Sequence, residues 1–239
     1  MPILEGTKVC KNFGGLAAVS EVDFCLNQGE ILGLIGPNGA GKTTLFNLIS
    51  GALVTRAGEI KYKNKTISKM KPFQICRHGI ARTFQSVKIF PDMTVLEHLL
   101  LSAIFGSAGR IPTREAKREA LNLLEFVGLK GLENVPARDL NLVRQKRLEV
   151  ARALASRPEV LLLDELMAGL NPAEVAEAME LVKKIRDSEI TIIMIEHVMK
   201  AIMGICDRII VLHHGEKIAE GTPQEIASSK TVIEVYLGE

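Results

Sequence analysis

The stretch GLIGPNGAGKTTL, residues 33–45, carries the spacing G-x-x-x-x-G-K-[ST] as Gly36, Gly41, Lys42 and Thr43. It follows the apolar run Ile31 to Ile35 and opens a helical pattern from Thr43 to Ile49. Strand, glycine-rich turn and helix, in that order, form the setting in which this spacing cradles phosphate. Glycines let backbone N–H groups turn toward phosphate oxygens, and the helix start adds a positive partial charge. Gly36, Pro37, Asn38, Gly39, Ala40, Gly41, Lys42, Thr43 and Thr44 are therefore the candidate nucleotide-binding segment. In that reading Lys42 reaches the β- and γ-phosphates, and Thr43 holds Mg²⁺ through its hydroxyl.

Working outward, Val160 to Leu163, Thr191 to Ile195 and Arg208 to Leu212 are further short apolar runs bounded by Gly, Pro or charge. Runs of this kind are strands buried on both faces. Between them lie helical patterns: Val175, Met179, Val182 and Ile185 fall on one face behind the Asn171-Pro172 start signal. Alternating strands and helices predict an α/β fold with a mostly parallel sheet around a P-loop. Two regions break the alternation. The first 30 residues and Glu59 to Ile67 predict an antiparallel β subdomain. Thr94 to Leu154 has no strand pattern and predicts an inserted helical subdomain, with Leu121, Leu124 and Val127 on one apolar face ending at Gly128. The expected organisation is a single domain over 1–239, with 1–93 and 156–239 as core and β subdomain and about 94–155 as the helical insert.

The run VLLLDEL ends in Asp164, placed to bind Mg²⁺ or its water, and Glu165, placed to accept a proton from an attacking water. Alone, such a pair could simply cap the next turn. Beside a P-loop it predicts in-line attack on a γ-phosphate, with Lys42 neutralising the charge that develops. A third strand, TIIMIEHVM, ends at Glu196 and His197, and His197 there can contact the γ-phosphate. The other four histidines have no such placement.

Bulk composition excludes more than it indicates. Lys and Arg number 30 against 28 Asp and Glu, and the net charge of +2 gives no case for nucleic acid or an anionic membrane surface. Cysteines 10, 25, 76 and 206 show neither C-x-x-C pairing nor metal spacing, which fits a reducing cytoplasm. No stretch approaches the roughly 18 apolar residues of a membrane span, so a role at a membrane would run through a partner.

Taken together, these motifs resemble the ATPase subunits of ABC transporters over nearly the whole chain. GPNGAGKTT resembles that family's Walker A loop, VLLLDE its Walker B, TFQ its glutamine loop, AGLNP its D-loop and EHVM its switch histidine. The resemblance implies ATP and Mg²⁺ as ligands. It implies that Gln85 touches Mg²⁺ and the attacking water and couples them to the helical subdomain, and that Phe13, in KNFGGL, stacks on adenine. It also implies transmembrane permease subunits, a second ABC ATPase and, indirectly, a substrate-binding protein, with the chain peripheral on the cytoplasmic face of the membrane. Within the family, ARTFQSVKIFPDMTVLEHLL, DELMAGLNP and the tail GEKIAEGTPQEI…VIEVYLG look most like the ATPases of branched-chain amino acid importers. Those of urea and amide importers and of the lipopolysaccharide exporter are closely similar. ABC ATPases of DNA repair or translation usually carry coiled-coil insertions or two cassettes, which do not fit here. An adenylate-kinase-type enzyme does not account for Gln85, Glu165 and His197 together. A regulatory subunit that senses ATP with little hydrolysis is the non-enzymatic alternative.

One stretch departs from the family. Its signature motif, usually L-S-G-G-Q or, in this branch, something like L-P-Y-G-D-Q, completes the partner's ATP site; here Asn141, Leu142, Val143, Arg144 and Gln145 follow Leu140, and KRLEVARALA then continues as the family does. Asn141 can serve as an N-cap. Val143 in a glycine's place is the harder change, because a β-branched residue resists φ > 0 and its methyls stand between backbone and phosphate. Loss of one phosphate donor typically costs about 2.7–4 kcal/mol in the transition state. Two readings follow: an asymmetric pair in which this chain's own site works and its neighbour's is weakened, or a tolerated variant with nearly normal hydrolysis.

Overall fold

In chain order the described residues, 2–106, 109 and 112–237 of the computed structural model, form β1 (Pro2–Phe13), β2 (Leu16–Asn27), β3 (Ile31–Ile35), α1 (Lys42–Ile49), β4 (Ala57–Tyr62), β5 (Lys65–Thr66), α2 (Pro72–Arg77), β6 (Ile80–Arg82), α3 (Val95–Gly106), α4 (Thr113–Phe126), α5 (Leu142–Ala155), β7 (Val160–Asp164), α6 (Pro172–Asp187), β8 (Thr191–Ile195), α7 (Met199–Ile205), β9 (Arg208–His213), β10 (Glu216–Gly221), α8 (Pro223–Ser228) and α9 (Lys230–Leu237). The helical insert expected at 94–155 includes residues 107, 108, 110 and 111, which lie outside the described residues.

A six-stranded sheet runs in the order β10-β9-β3-β8-β7-β6. All its pairings are parallel except β10 with β9. A four-stranded antiparallel sheet, β2-β1-β4-β5, lies beside it. Every residue of β3, β7 and β8 is buried. Their side chains alternate between two cores, as the period of two requires. Ile31, Ile35, Leu161, Leu163, Ile192 and Met194 face the helical side. Leu32, Leu34, Val160, Leu162, Ile193 and Ile195 face α1 and the antiparallel sheet. Double-sided burial explains why these strands read as unbroken apolar runs.

Helix α6 starts where its signal predicted. Asn171 Oδ1 accepts from Ala173 N and Glu174 N at 3.0 Å, and Glu174 returns a carboxylate to Asn171 N at 2.8 Å. In α4 the expected apolar face is shifted. Ala116, Ala120, Leu124 and Val127 are buried, whereas Leu121 is 38% exposed. The contact stripe passes through the small alanines, one position round from Leu121, because α4 packs closely against α3 and α5. Strand β6 is only three residues long and has no apolar run of its own; pairing with β7 makes it a strand.

His98, 0% exposed in α3, pins the chain between β6 and the helical insert. Its Nε2 accepts from Phe90 N at 3.0 Å and its Nδ1 donates to Thr94 O at 2.8 Å, which is the neutral ring. Burial holds its pKa below 6.5, Arg152 acts in the same direction, and the Thr94 carbonyl and Glu97 oppose it. The unfolded chain therefore binds this proton more readily. Its contribution to stability is complete above pH ~6.5 and is lost as pH falls toward the lower folded value. Melting temperatures measured from pH 7 downward are expected to fall less steeply in His98→Gln than in the wild type.

Candidate functional site

The glycine-rich loop leaves the C-terminal end of β3, Glu165 that of β7 and His197 that of β8; Gln85 lies three residues past β6. These strands are neighbours and parallel, so four loops converge at one edge of the sheet, the usual ligand position in such folds. They enclose a cavity of about 410 Å³ lined by Asn38 to Thr44, Gln85, Glu165 and His197, with Phe13, Leu16 and His214 on its outer wall.

Two glycines set the loop's path. At Gly36 (φ +148°) a Cβ would stand 2.1 Å from Leu212 O, and at Gly41 (φ +102°) it would stand 2.4 Å from Ala18 O. Only glycine fits these close approaches. Gly41 then serves as N-cap of α1, whose first-turn N–H groups lack intrahelical partners and border the cavity. Gly36 and Pro37 do not line it; their carbonyls hold Lys42 Nζ at 2.6 and 3.0 Å. Lys42 is 6% exposed. Burial lowers its pKa, while Glu165 and Asp164 act to raise it, so a charged ammonium there is short of solvent and gains from an anion.

Glu165 sits at the centre of a three-residue constellation. Its Oε2 accepts from Gln85 Nε2 at 3.0 Å, and its Oε1 lies 2.9 Å from His197 Nε2. An ionised carboxylate only accepts, so His197 Nε2 carries the hydrogen. The backbone of Glu165 is left-handed, φ +52°, which is uncommon for a residue with a Cβ and is typical of strained functional positions.

Asp164 is buried and paired. Arg82 Nη2 donates to its Oδ2 at 2.7 Å, while Arg82 Nη1 reaches Asn47 Oδ1 at 2.6 Å and Ser50 Oγ at 3.1 Å. The remaining oxygen, Oδ1, is buried without a hydrogen-bond partner. Asp164 is not among the residues lining the cavity, whereas Thr43 and Gln85 are; its orphaned carboxylate oxygen, the Thr43 hydroxyl and the Gln85 amide oxygen are hard donors of the kind that suits Mg²⁺. No cluster of three or more His, Cys, Asp or Glu able to hold a metal occurs among the described residues.

Phe13 is 49% exposed with Lys11 Nζ 5.6 Å from its ring centroid; it is a surface ring on the cavity wall, not a core residue. Residues 141–145 lie apart from this cavity, at the start of α5. Asn141 caps the helix, Oδ1 accepting from Arg144 N at 3.0 Å. Leu142 is 45% exposed, and Gln145 Nε2 donates to Leu140 O at 3.0 Å. Val143 lies in regular helix, not at φ > 0, so the backbone obstacle expected from its β-branch is absent. Only the side chains stand at the helix start.

Sequence reasoning assigned nothing to Arg82, Lys146, Glu196 or His214. Arg82 and Lys146 sit among other basic residues, and only burial at 9% and 7% separates them from solvated charges. His214 reaches the cavity because the β9–β10 turn docks on the loop, Gly215 N donating to Ala40 O at 3.1 Å.

A family model for ABC transporters matches residues 19–168, and one for branched-chain amino acid ATP-binding cassette transporters matches residues 216–239. The chain is 43% identical to the high-affinity branched-chain amino acid transport ATP-binding protein LivG of Salmonella typhimurium, covering 100% of this chain and 98% of that protein. It is 40% identical, with the same coverage, to the corresponding protein BraF of Pseudomonas aeruginosa. Among solved structures, the ADP conformation of an ATP-binding cassette of an ABC transporter superposes with a TM-score of 0.91 at 32% identity, each chain covered completely.

Proposed function

Because the chain belongs to the ABC transporter ATP-binding family, we propose that it hydrolyses ATP at the cavity between the glycine-rich loop and Glu165 to energise import of branched-chain amino acids. The observation that carries the catalytic reading is the Gln85–Glu165–His197 constellation at the mouth of the phosphate loop. Lys42 exchanges the carbonyls of Gly36 and Pro37 for the β- and γ-phosphates, and the first-turn amides of α1 take phosphate oxygens. Glu165, oriented through both oxygens, takes the proton of the attacking water; His197 and Gln85 hold that carboxylate and line the path of the γ-phosphate. Thr43, Asp164 and Gln85 would hold Mg²⁺, which when bound neutralises charge on the phosphates.

The names of relatives 40–43% identical over the whole chain, and the match of its last residues to the branched-chain family model, support this cargo over urea, amides or lipopolysaccharide. No helix among the described residues is long and apolar enough to cross a membrane. In this reading, which the names of the transport relatives support, the chain works from the membrane's cytoplasmic face through permease subunits. An apolar cleft of about 540 Å³ between core and helical insert suits that contact: Phe73, Phe84, Leu101 and Phe105 border it, 37–63% exposed, with Phe84 adjacent to Gln85. Purification of the tagged chain from native membranes is expected to bring two permease subunits and a second ATPase. Recovery of the chain with partners unrelated to transport would overturn the reading.

The start of α5 favours the asymmetric pair. The Asn141 side chain is used on its own helix and Leu142 is exposed at the helix start; in this reading that side chain is what the start of α5 presents to the neighbour's ATP. ATPase activity is therefore expected to be low for the isolated chain and to rise on adding a partner ATPase with an intact signature. Vigorous turnover by a homodimer would contradict this.

A further inference from the structure

The turn after β7 is held by two buried charged side chains that the reaction itself does not use. Lys146, one turn into α5 and 7% exposed, donates from Nζ to Glu165 O at 3.1 Å and to Leu166 O at 2.8 Å. Glu196, 3% exposed beside His197, accepts from Met167 N at 2.8 Å. Glu165 N is fixed to Ile195 O at 2.9 Å, and Ala168 N closes the turn on Glu165 O at 3.2 Å. Each polar backbone group from Glu165 to Met167 that these contacts reach is thus tied to α5 or to the end of β8.

We infer that Lys146 is a positioning residue: it braces Glu165 in its left-handed conformation and ties the place of the catalytic carboxylate to the orientation of α5. Left-handed backbone at a residue with a Cβ persists only where surroundings over-determine it. Lys146 is the only side chain of the helical insert seen to donate to the carbonyls of Glu165 and Leu166 among the described residues. Its stem is buried, and its ammonium has the Coulombic support of Glu196, Glu149 and Glu165, so it stays at the turn despite the desolvation it suffers. A shift of α5 relative to the core would draw the ammonium from both carbonyls and let Glu165 relax. Gln85 meets the carboxylate from the β6 side; Lys146 provides a second connection from the helix that begins at the Asn141 cap.

This inference rests on Glu165 acting as the base, and the experiment separates the two claims. ATP turnover and nucleotide binding are measured on the assembled transporter carrying wild type, Glu165→Gln, Lys146→Met or Lys146→Arg. Lys146→Met keeps the buried stem and removes the donors. It is expected to lower kcat about tenfold or more while KM and ATP affinity move little, since a small misplacement of a reacting group is costly. Lys146→Arg, which can reach both carbonyls, is expected to recover most of kcat. If Glu165→Gln abolishes turnover but Lys146→Met keeps the wild-type kcat, the brace is overturned. It is also overturned if Lys146→Met loses ATP affinity in step with kcat and Lys146→Arg recovers neither, for that marks a general packing role. If Glu165→Gln turns over normally, the underlying reading fails first.

Discussion

Replacing Glu165 with Gln is expected to lower steady-state ATP turnover by roughly 10²- to 10⁴-fold, the usual contribution of a positioned general base. The substitution conserves shape. An amide oxygen can still meet His197 Nε2, so the contact held at 2.9 Å survives in kind. What disappears is the capacity to take the proton from water. In the proposed mechanism nucleotide binding rests instead on Lys42, the amides of residues 39–43 and the proposed Mg²⁺ ligands, none of which is itself substituted. ATP should therefore remain bound and hold the cassette with its partner, visible as retained ATP on gel filtration and as a lost chemical step in single-turnover kinetics. Turnover within a few-fold of wild type would show that Glu165 is not the base.

Arg82→Met is expected to produce the largest loss of stability. The Arg82–Asp164 pair has side chains only 9% and 1% exposed, and Arg82 also ties Asn47 and Ser50 of α1 and its C-cap to the strand end. Methionine fills the space and leaves the carboxylate with neither oxygen paired. Removing one partner of a buried ion pair costs about 3–5 kcal/mol, which for a domain of this size is a fall in melting temperature of roughly 10 °C. Adding Asp164→Asn in the same chain removes the stranded charge and is expected to recover much of the loss, so the double-mutant cycle returns a large coupling. Equal melting temperatures for wild type and Arg82→Met would contradict the role given to the pair. Thermal unfolding without nucleotide reads this directly, since Mg²⁺ and ATP would otherwise shift both proteins.

The sheet and the phosphate loop were legible in the sequence for a physical reason. Strands covered on both faces need unbroken apolar runs, and β3, β7 and β8 have them. The loop has to be glycine where backbone carbonyls crowd Gly36 and Gly41. Strand β6 was illegible because three residues with one neighbour carry too little pattern. The face of α4 was misjudged at Leu121 because alanines that permit close helix approach carry little apolar weight. Within the site, Asp164, Glu165 and His197 could be placed at strand ends from their local motifs. The roles of Arg82, Lys146 and Glu196 could not be read there, since a charged side chain declares itself structural only when its burial and its partners far along the chain are seen. His214 belongs to the same class: its turn meets the loop from a strand two positions away in the sheet order from β8.

The central claim, that ATP hydrolysed at this cavity drives branched-chain amino acid import, is tested most directly by transport. The chain is assembled with its permease subunits and partner ATPase in liposomes carrying ATP on the cassette side, and labelled leucine is supplied with the substrate-binding protein on the other. Uptake that requires hydrolysable ATP and vanishes with Glu165→Gln is the predicted result. Leucine uptake that persists with Glu165→Gln, or wild-type ATP hydrolysis with no leucine movement, would contradict it.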